Sequence, residues 1–548
     1  MGIRIENGEV IDPAHGENRV RRTIHMKDGR IVADAGLDAT VIDATGCVVM
    51  AGGVDIHTHV AGPKVNFARL MRPEDHRYEH VSREDGYERS GTGGVAATTY
   101  TTGYRYCEMG YTTIVEPAVP PLGARHAHEE LADIPQVDKA IFTLLGNSEI
   151  IFQYLAKGEM SKINEYISWI MDATKAYSVK IVNPGGANMW KYRADIHDID
   201  QKLCDFDTTP RQIVLAIADA MATLGLPHPL HLHCNNLGVP DSYKTAIATA
   251  EAMEGRPLHL THLQFSSYGA SGKRKFSSEA PRLAQMVNDN RNITIDVGQV
   301  LFGKTTTITA DGPFEFHLHK LTGSKWYNGD VECEDGCGVV PYDYKRTSFV
   351  NSIQWAAGLE LFLLIDDPWR VYLTTDHPNG APFITYPHLI RLLMDKDFRR
   401  EHVERISAEA AAEIPLKTLD REYTLYEIAI ITRAGAAKRL GLVNKGHLGV
   451  GADADVAVYR ISPDYEEMFA KPAWVLKDGE VVAKEGKVTR QVFGRTLYVH
   501  PERGFADIKG ELADFFESYY TVNINNYPVG LEYLPRPELI PCQVKQND

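Results

Sequence analysis

Cysteine is scarce in this chain: seven in 548 residues, an odd number too thinly spread for a disulfide scaffold and in keeping with a reducing compartment. Cys333 and Cys337 stand closest together, and without a second pair they do not make a zinc knuckle. No four-cysteine iron–sulfur pattern is present, so redox chemistry would have to reside in a partner. Basic residues are outnumbered, 58 Lys and Arg against 73 Asp and Glu, and the net charge of −15 argues against nucleic acid or an anionic membrane as partner. There is no apolar run of about 18 residues, and no apolar segment in the stretch that opens with Met1 to Gly8. We therefore expect neither a membrane span nor a signal peptide, and a cytoplasmic location.

What is present is the make-up of a globular protein, 44% hydrophobic and 24% charged. Single cores stop growing at about 250–300 residues, so a chain of 548 should hold at least two structural units. Its two ends share one texture. Short alternating runs meet Asn7-Gly8 and Lys27-Asp28-Gly29 near the start and Lys477-Asp478-Gly479 near the end, and such dipeptides are hairpin signals. The expected organisation is a small composite β-sandwich of residues 1–52 and 444–500, a catalytic unit over 53–443, and a C-terminal arm over 501–548 that packs on this subunit or a partner.

Within the catalytic unit, strand-like runs alternate with helix-like ones. Strands are expected at Thr112–Val115, Ile141–Leu145, Val179–Val182, Leu230–His233, Leu258–Leu263, Ile293–Val297 and Val371–Thr375, with an eighth leading into His57. Helices are expected at Ile163–Ala176, Pro210–Leu224 and Ser242–Ala252. Eight such units make an α/β fold of the (β/α)8, TIM-like kind, whose chemistry sits at the C-terminal ends of the strands. Residues 299–363 are too many for a normal connection and should form an elaborated loop over the mouth.

The strand ends carry an ordered set of metal-ligand types. In Val54-Asp55-Ile56-His57-Thr58-His59, alternation along a strand puts His57 and His59 on one side, able to hold a metal together. Lys180 lies inside the apolar run Ser178–Val182, where an ammonium must be snorkelling, paired, deprotonated or chemically altered; a carbamate is one such alteration. The next two runs offer His231 with His233, and His259 with His262. The later histidine of each is the expected ligand, and the earlier ones are expected deeper in the barrel. The last run ends at Asp376, which could bind a metal and accept a proton from water, followed by His377. His317 and His319 fall outside this order and are not expected to bind metal, while Glu116 should line the barrel or support a ligand.

This ordered set resembles the amidohydrolase superfamily, in particular its members with a lysine-bridged binuclear centre. The flanks agree: Val41 to Gly46, Gly52 to His59, Gly110 to Thr113, and Ile431-Thr432-Arg433 with Gly451 to Asp455. Three further stretches, Gly62 to Arg69, Asn183 to Gly186 and Asp311 to Phe316, resemble the A subunits of formylmethanofuran dehydrogenases and of the bacterial formyltransferase/hydrolase complexes of methylotrophs. The resemblance implies two divalent metal ions, zinc being the expected identity, held by His57, His59, His233, His262, Asp376 and a carbamate on Lys180, with Asp376 as the catalytic residue. It implies hydrolysis of an N-formyl carrier of the methanofuran or methylofuran type to formate and free amine, in one-carbon metabolism, by one subunit of a complex. Lys64, Asn66, Arg69, Asn235 and His377 are the expected substrate contacts, with Arg72 as a further cation for the carrier's acidic tail. The alternatives are the reverse condensation in a dehydrogenase complex, a dihydropyrimidinase-like cyclic-amide hydrolase, and a metal-free scaffold.

Overall fold

The structure, a computed structural model, describes residues 2–78, 80–81, 88–272, 274–329 and 337–543, so the Cys333–Cys337 spacing lies outside the described residues. Its centre is a parallel sheet of eight strands: β1 Gly53–Asp55, β2 Tyr111–Val119, β3 Asp138–Leu144, β4 Ser178–Val182, β5 Leu230–His233, β6 Leu258–Leu260, β7 Ile293–Asp296 and β8 Val371–Tyr372. They follow one another in chain order, and a bridge between Thr58 and His377, with His59 N donating to His377 O at 2.8 Å, joins the end of β8 to that of β1. The ring is the expected (β/α)8 barrel. β2 and β4 are buried at every position, as strands covered on both faces must be. Register lays Lys180, His231 and His259 in one row across β4, β5 and β6, with His233 two residues nearer the mouth.

The helices between strands form where the periodicity placed them, at Met160–Thr174, Pro210–Thr223 and Ser242–Ala252. The second of these starts sharply because Thr209 and Gln212 cap it reciprocally and Pro210 needs no donor there. β6 stops short of the expected strand: its continuation turns at His262 into a short 3-10 helix, Leu263–Ser266.

The described residues of 299–363 form a built unit. Strands Gly303–Thr309 and Gly338–Tyr344 pair antiparallel in full register, with helix Gly312–Thr322 between them in sequence and helix Phe349–Leu364 after them.

At the ends of the chain, two sheets share a core of Ile5, Ile24, Ile31 and Ile42 with Val10, Val49, Val456, Val458 and Leu476. One sheet of four strands comes from the N-terminal segment, and the other, of seven, is sewn from both ends by pairing Cys47–Ala51 with Val456–Arg460. Both Lys-Asp-Gly sequences are two-residue hairpin turns, with Asp28 and Asp478 each at φ +51. Asn7-Gly8 is not a hairpin. It carries the chain from Ile3–Glu6 in one sheet to Glu9–Asp12 in the other, because each strand finds a parallel partner, Thr40–Asp43 and Cys47–Ala51.

Residues 496–498 also differ from the expected organisation: Thr496–Tyr498 pairs with β3 of the barrel and receives Pro537–Leu539 on its other side. The C-terminal segment packs on its own subunit through helix Lys509–Tyr519, whose Phe516 lies against Trp169 and Tyr527. Among the described residues, no helix is long and apolar enough to cross a membrane.

Candidate active site

Each of the six residues expected to bind metal lies on a barrel strand or within four residues of its C-terminal end. The chain bends sharply there. His262, at φ +35, and Asp376, at φ +51, occupy the left-handed region that side chains avoid, a strain of a kind that gathers at functional sites. Gly298 makes their approach feasible: at φ +69, a Cβ there would sit 2.4 Å from the His262 Cβ and 3.4 Å from that of Asp376.

The side chains converge. Asp376 Oδ1 lies 2.8 Å from His57 Nε2 and 3.2 Å from His59 Nε2, and Lys180 Nζ lies 3.4 Å from His57 Nε2. The rings of His233 and His262 meet edge to face at 4.8 Å, with His57 5.3 Å from His262. His233 Nε2, His262 Nδ1 and Asp376 Oδ1 are buried without a hydrogen-bond partner. One such atom costs about 1–3 kcal/mol, so three donor atoms of metal-ligating chemistry left open in one place fit a cation centre. Burial holds the imidazoles of His57, His233 and His262 below their ordinary pKa, which keeps lone pairs available. The same burial lowers the Lys180 ammonium to about 8 and raises the Asp376 carboxyl.

Supporting groups fix these side chains. Glu116 Oε1 lies 2.9 Å from His59 Nδ1 while its Oε2 accepts from Val60 N and Ala61 N, so Nδ1 is the donor and Nε2 faces Asp376. Burial opposes the charge on Glu116, yet His59 holds its carboxyl below the usual range. Asp296, at the end of β7, pairs with His259 Nε2 at 3.0 Å and accepts from His262 N and Thr374 Oγ1. Asp311 Oδ2 comes within 3.4 Å of His233 Nε2 and its Oδ1 accepts from Asn183 Nδ2.

His59, Lys180, His233, His262 and Asp376 line a cavity of about 410 Å³ whose other walls include Leu237, Phe265, Phe276, Phe314 and Tyr342. Glu315 lines it too, fully buried, with Oε2 accepting from Thr307 Oγ1 and Oε1 unpartnered. Gly338 leaves the room for it, since a Cβ there would lie 2.2 Å from the Glu315 Cβ.

None of the expected substrate contacts lines this cavity. Lys64 donates to Ala118 O, Arg69 to Ala97 O, Val60 O and Asn66 Oδ1, and Asn66 to Glu130. Asn235 donates to Asn183 Oδ1 and Pro184 O, His377 Nδ1 accepts from Phe383 N, and Arg72 binds Asp75 and Thr305 O. The donors among them are taken up by backbone carbonyls and by carboxylates, and His377 by a backbone N–H, so these side chains brace the surrounding loops. His317 lines the cavity, whereas His319 stacks on Trp326 with Nδ1 against Ser324 O; neither joins the ligand cluster. Asp296 was legible by the signal that picked Asp376, a carboxylate closing an apolar run; Glu315 and Asp311 belong to the insertion and gave no such signal.

A closed (β/α)8 barrel with histidines, a lysine and an aspartate gathered at its strand ends is the architecture of a metal-dependent hydrolase. The model of the amidohydrolase family matches residues 40–487, and the chain belongs to that family. It is 46% identical over 555 residues to protein FwdA of Methanocaldococcus jannaschii, covering 97% of each chain. With the A subunit of the formyltransferase/hydrolase complex Fhc of Methylorubrum extorquens it shares 41% identity over 511 residues, covering 92% of each. A chain in the crystal structure of the formyltransferase/hydrolase complex (FhcABCD) from Methylorubrum extorquens with methylofuran superposes with a TM-score of 0.93 at 38% identity, over 99% of this chain and 100% of that one.

Proposed function

We propose that this chain hydrolyses the formyl–nitrogen bond of an N-formyl carrier of the methylofuran or methanofuran type, releasing formate and the free amine, as the A subunit of a formyltransferase/hydrolase complex. The near-complete superposition on a chain of a complex crystallised with methylofuran carries this reading. A wall of Phe265, Phe276 and Phe314 beside the ligand cluster suits an aromatic furan.

His57, His59, His233, His262, Asp376 and Lys180 would hold two divalent ions, expected to be zinc. Bound there, the ions supply polarisation of the formyl oxygen and acidification of a water. Lys180, with its pKa near 8, is partly free amine at neutral pH, the form that adds to carbon dioxide; its carbamate offers two anionic oxygens in place of one amine. Asp376 moves the proton: its buried, unpartnered Oδ1 takes it from the attacking water and returns it to the departing amine nitrogen. The buried cluster positions the carbonyl carbon and keeps bulk water from competing.

The 46% identity with FwdA favours one second reading, in which the same residues run the reverse step, condensing formate with the amine as the A subunit of a formylmethanofuran dehydrogenase. The test is formate release from the formylated carrier by the complex purified from its source, beside Asp376→Asn, with a hydantoin as the competing substrate. Formate from the wild type alone is the expected result. Hydantoin opening without formate release would replace this reading by a cyclic-amide hydrolase.

A further inference from the structure

Below the ligand cluster, three fully buried histidines form a chain through the barrel interior. His228, just before β5, has Nδ1 3.1 Å from the carbonyl oxygen of Arg439. Its Nε2 lies 3.1 Å from His231 Nδ1, and His231 Nε2 lies 2.8 Å from His57 Nδ1. Phe142 packs on the rings of His228 and His231, each at 5.1 Å.

A carbonyl oxygen can only accept, so the proton on His228 sits on Nδ1. A neutral imidazole with Nδ1 protonated has only a lone pair at Nε2, so His231 must donate from its Nδ1. The same step repeats: His231 Nε2 can only accept, and His57 must donate from Nδ1. Thr261 Oγ1, against the same nitrogen, can share that proton as acceptor. His57 Nε2 is then left as a lone pair, pointing at Asp376 and Lys180.

We propose that His228 and His231 are positioning residues, a tautomer relay anchored on the Arg439 carbonyl that presents His57 to the metal through Nε2. A competing reading would put a separate cation among His57, His231 and Asp296, whose donor atoms lie within 4.8 Å of one another. Hydrogen bonding disfavours it: His57 Nδ1 and His231 Nε2 are in direct contact, and the oxygens of Asp296 already serve His259, His262 N and Thr374.

This inference rests on the reading of His57 as a metal ligand and not on the substrate. Its test measures zinc release from the purified complex to a chromogenic chelator, for wild type, His228→Leu and His228→Gln. Glutamine can donate to the Arg439 carbonyl with its amide nitrogen and accept from His231 with its oxygen, which preserves the polarity of the chain; leucine cannot. Loss of a group that orients a ligand typically costs about 10- to 100-fold in metal affinity. His228→Leu should release zinc faster by about that factor, and His228→Gln should recover most of the difference. Equal behaviour of the two variants would overturn the relay. Should the leucine variant fail to fold, neutron diffraction of the wild type decides: deuterium on Nδ1 and not Nε2 of His228, His231 and His57 is expected, and deuterium on Nε2 of His231 refutes it. Both readouts stand whether or not a formamide is the substrate.

Discussion

The two ends of the barrel each gather buried ionisable groups, and they treat them in opposite ways. At the start of β3, Asp138 lies with Asp453 and Asp455, close enough for the three to resemble a metal site. Here the protein supplies its own cations: Lys445 Nζ stands 2.9 Å from Asp453 and 3.0 Å from Asp455, while Lys477 and Arg495 each stand 3.1 Å from Asp138. Although burial acts to raise it, Lys445, Lys477 and Arg495 hold the Asp138 carboxyl well below its ordinary range. At the other end, Asp376, His233 and His262 are buried as deeply, and Asp376 Oδ1, His233 Nε2 and His262 Nδ1 make no hydrogen bond. Three close aspartates do not make a site. What separates the two clusters is whether the fold completes the electrostatics by itself; the one it leaves incomplete shares its cavity with Phe265, Phe276 and Phe314.

The sharpest way to break this comparison is Asp376→Asn, which keeps the shape and removes the proton carrier. It should lower kcat for formate release by about 10²–10⁴-fold without lowering the thermal unfolding midpoint, since burial already opposes the charge that is removed; a rate within a few fold of wild type would remove Asp376 from the catalytic role. Lys180→Ala should follow: with Lys180 a metal ligand as proposed, the variant offers no ligand atom there and the metal content of the purified protein, measured by elemental analysis, should fall. At the opposite end the signs reverse. Asp138→Asn leaves Lys445 and Lys477 short of a counter-charge and should cost about 3–5 kcal/mol in denaturant unfolding, with metal content intact. Loss of metal without loss of stability would mean that the two clusters had been assigned the wrong way round.

The sequence exposed the catalytic end better than the structural one. The residues that cluster at the cavity were readable because strand alternation and strand ends leave a local signature: His57 with His59, Lys180 inside an apolar run, Asp376 closing another. The barrel was readable for the same reason, one strand-like run at a time. Asp138, Lys445, Lys477 and Arg495 are ordinary charged residues far apart in the chain, and only the packing of the C-terminal segment against the barrel brings them together. Asn7-Gly8 misled because a turn signal does not say which sheet the next strand will join. Lys64 and Arg69 misled because nearness to a ligand loop says nothing about which way a long side chain turns, and both turn back to backbone carbonyls. Glu315 lies in the insertion, where no period marks a face; helix Gly312–Thr322 carries it to the cavity, against Thr307 and Gly338 of the paired strands.

The smallest effect concerns a third arrangement, a buried carboxyl with neither a cation nor an open donor set. Glu360 accepts from Ser278 Oγ at 2.5 Å and from Leu416 N at 3.3 Å, and burial pushes its pKa up from 4.5 to about 7. In the unfolded chain the group ionises near the lower value and in the folded one near the higher. Stability is therefore undiminished below the lower value, falls as pH rises between the two, and levels off above about 7. At 1.36 kcal/mol per unit, the loss is at most about 3 kcal/mol. Glu360→Gln mimics the protonated acid, so its stability relative to wild type should be near zero at acid pH and climb to that value by pH 8, read as the difference in denaturant midpoints. Asp138 gives the opposite slope. Its lowered pKa contributes stability that is present above the unfolded value of 3.8 and is lost as pH falls, so Asp138→Asn costs least in acid. A pH-independent effect at Glu360 would show that its carboxyl is solvated in the native state, and would make burial without a counter-charge a weaker guide at the cavity end as well.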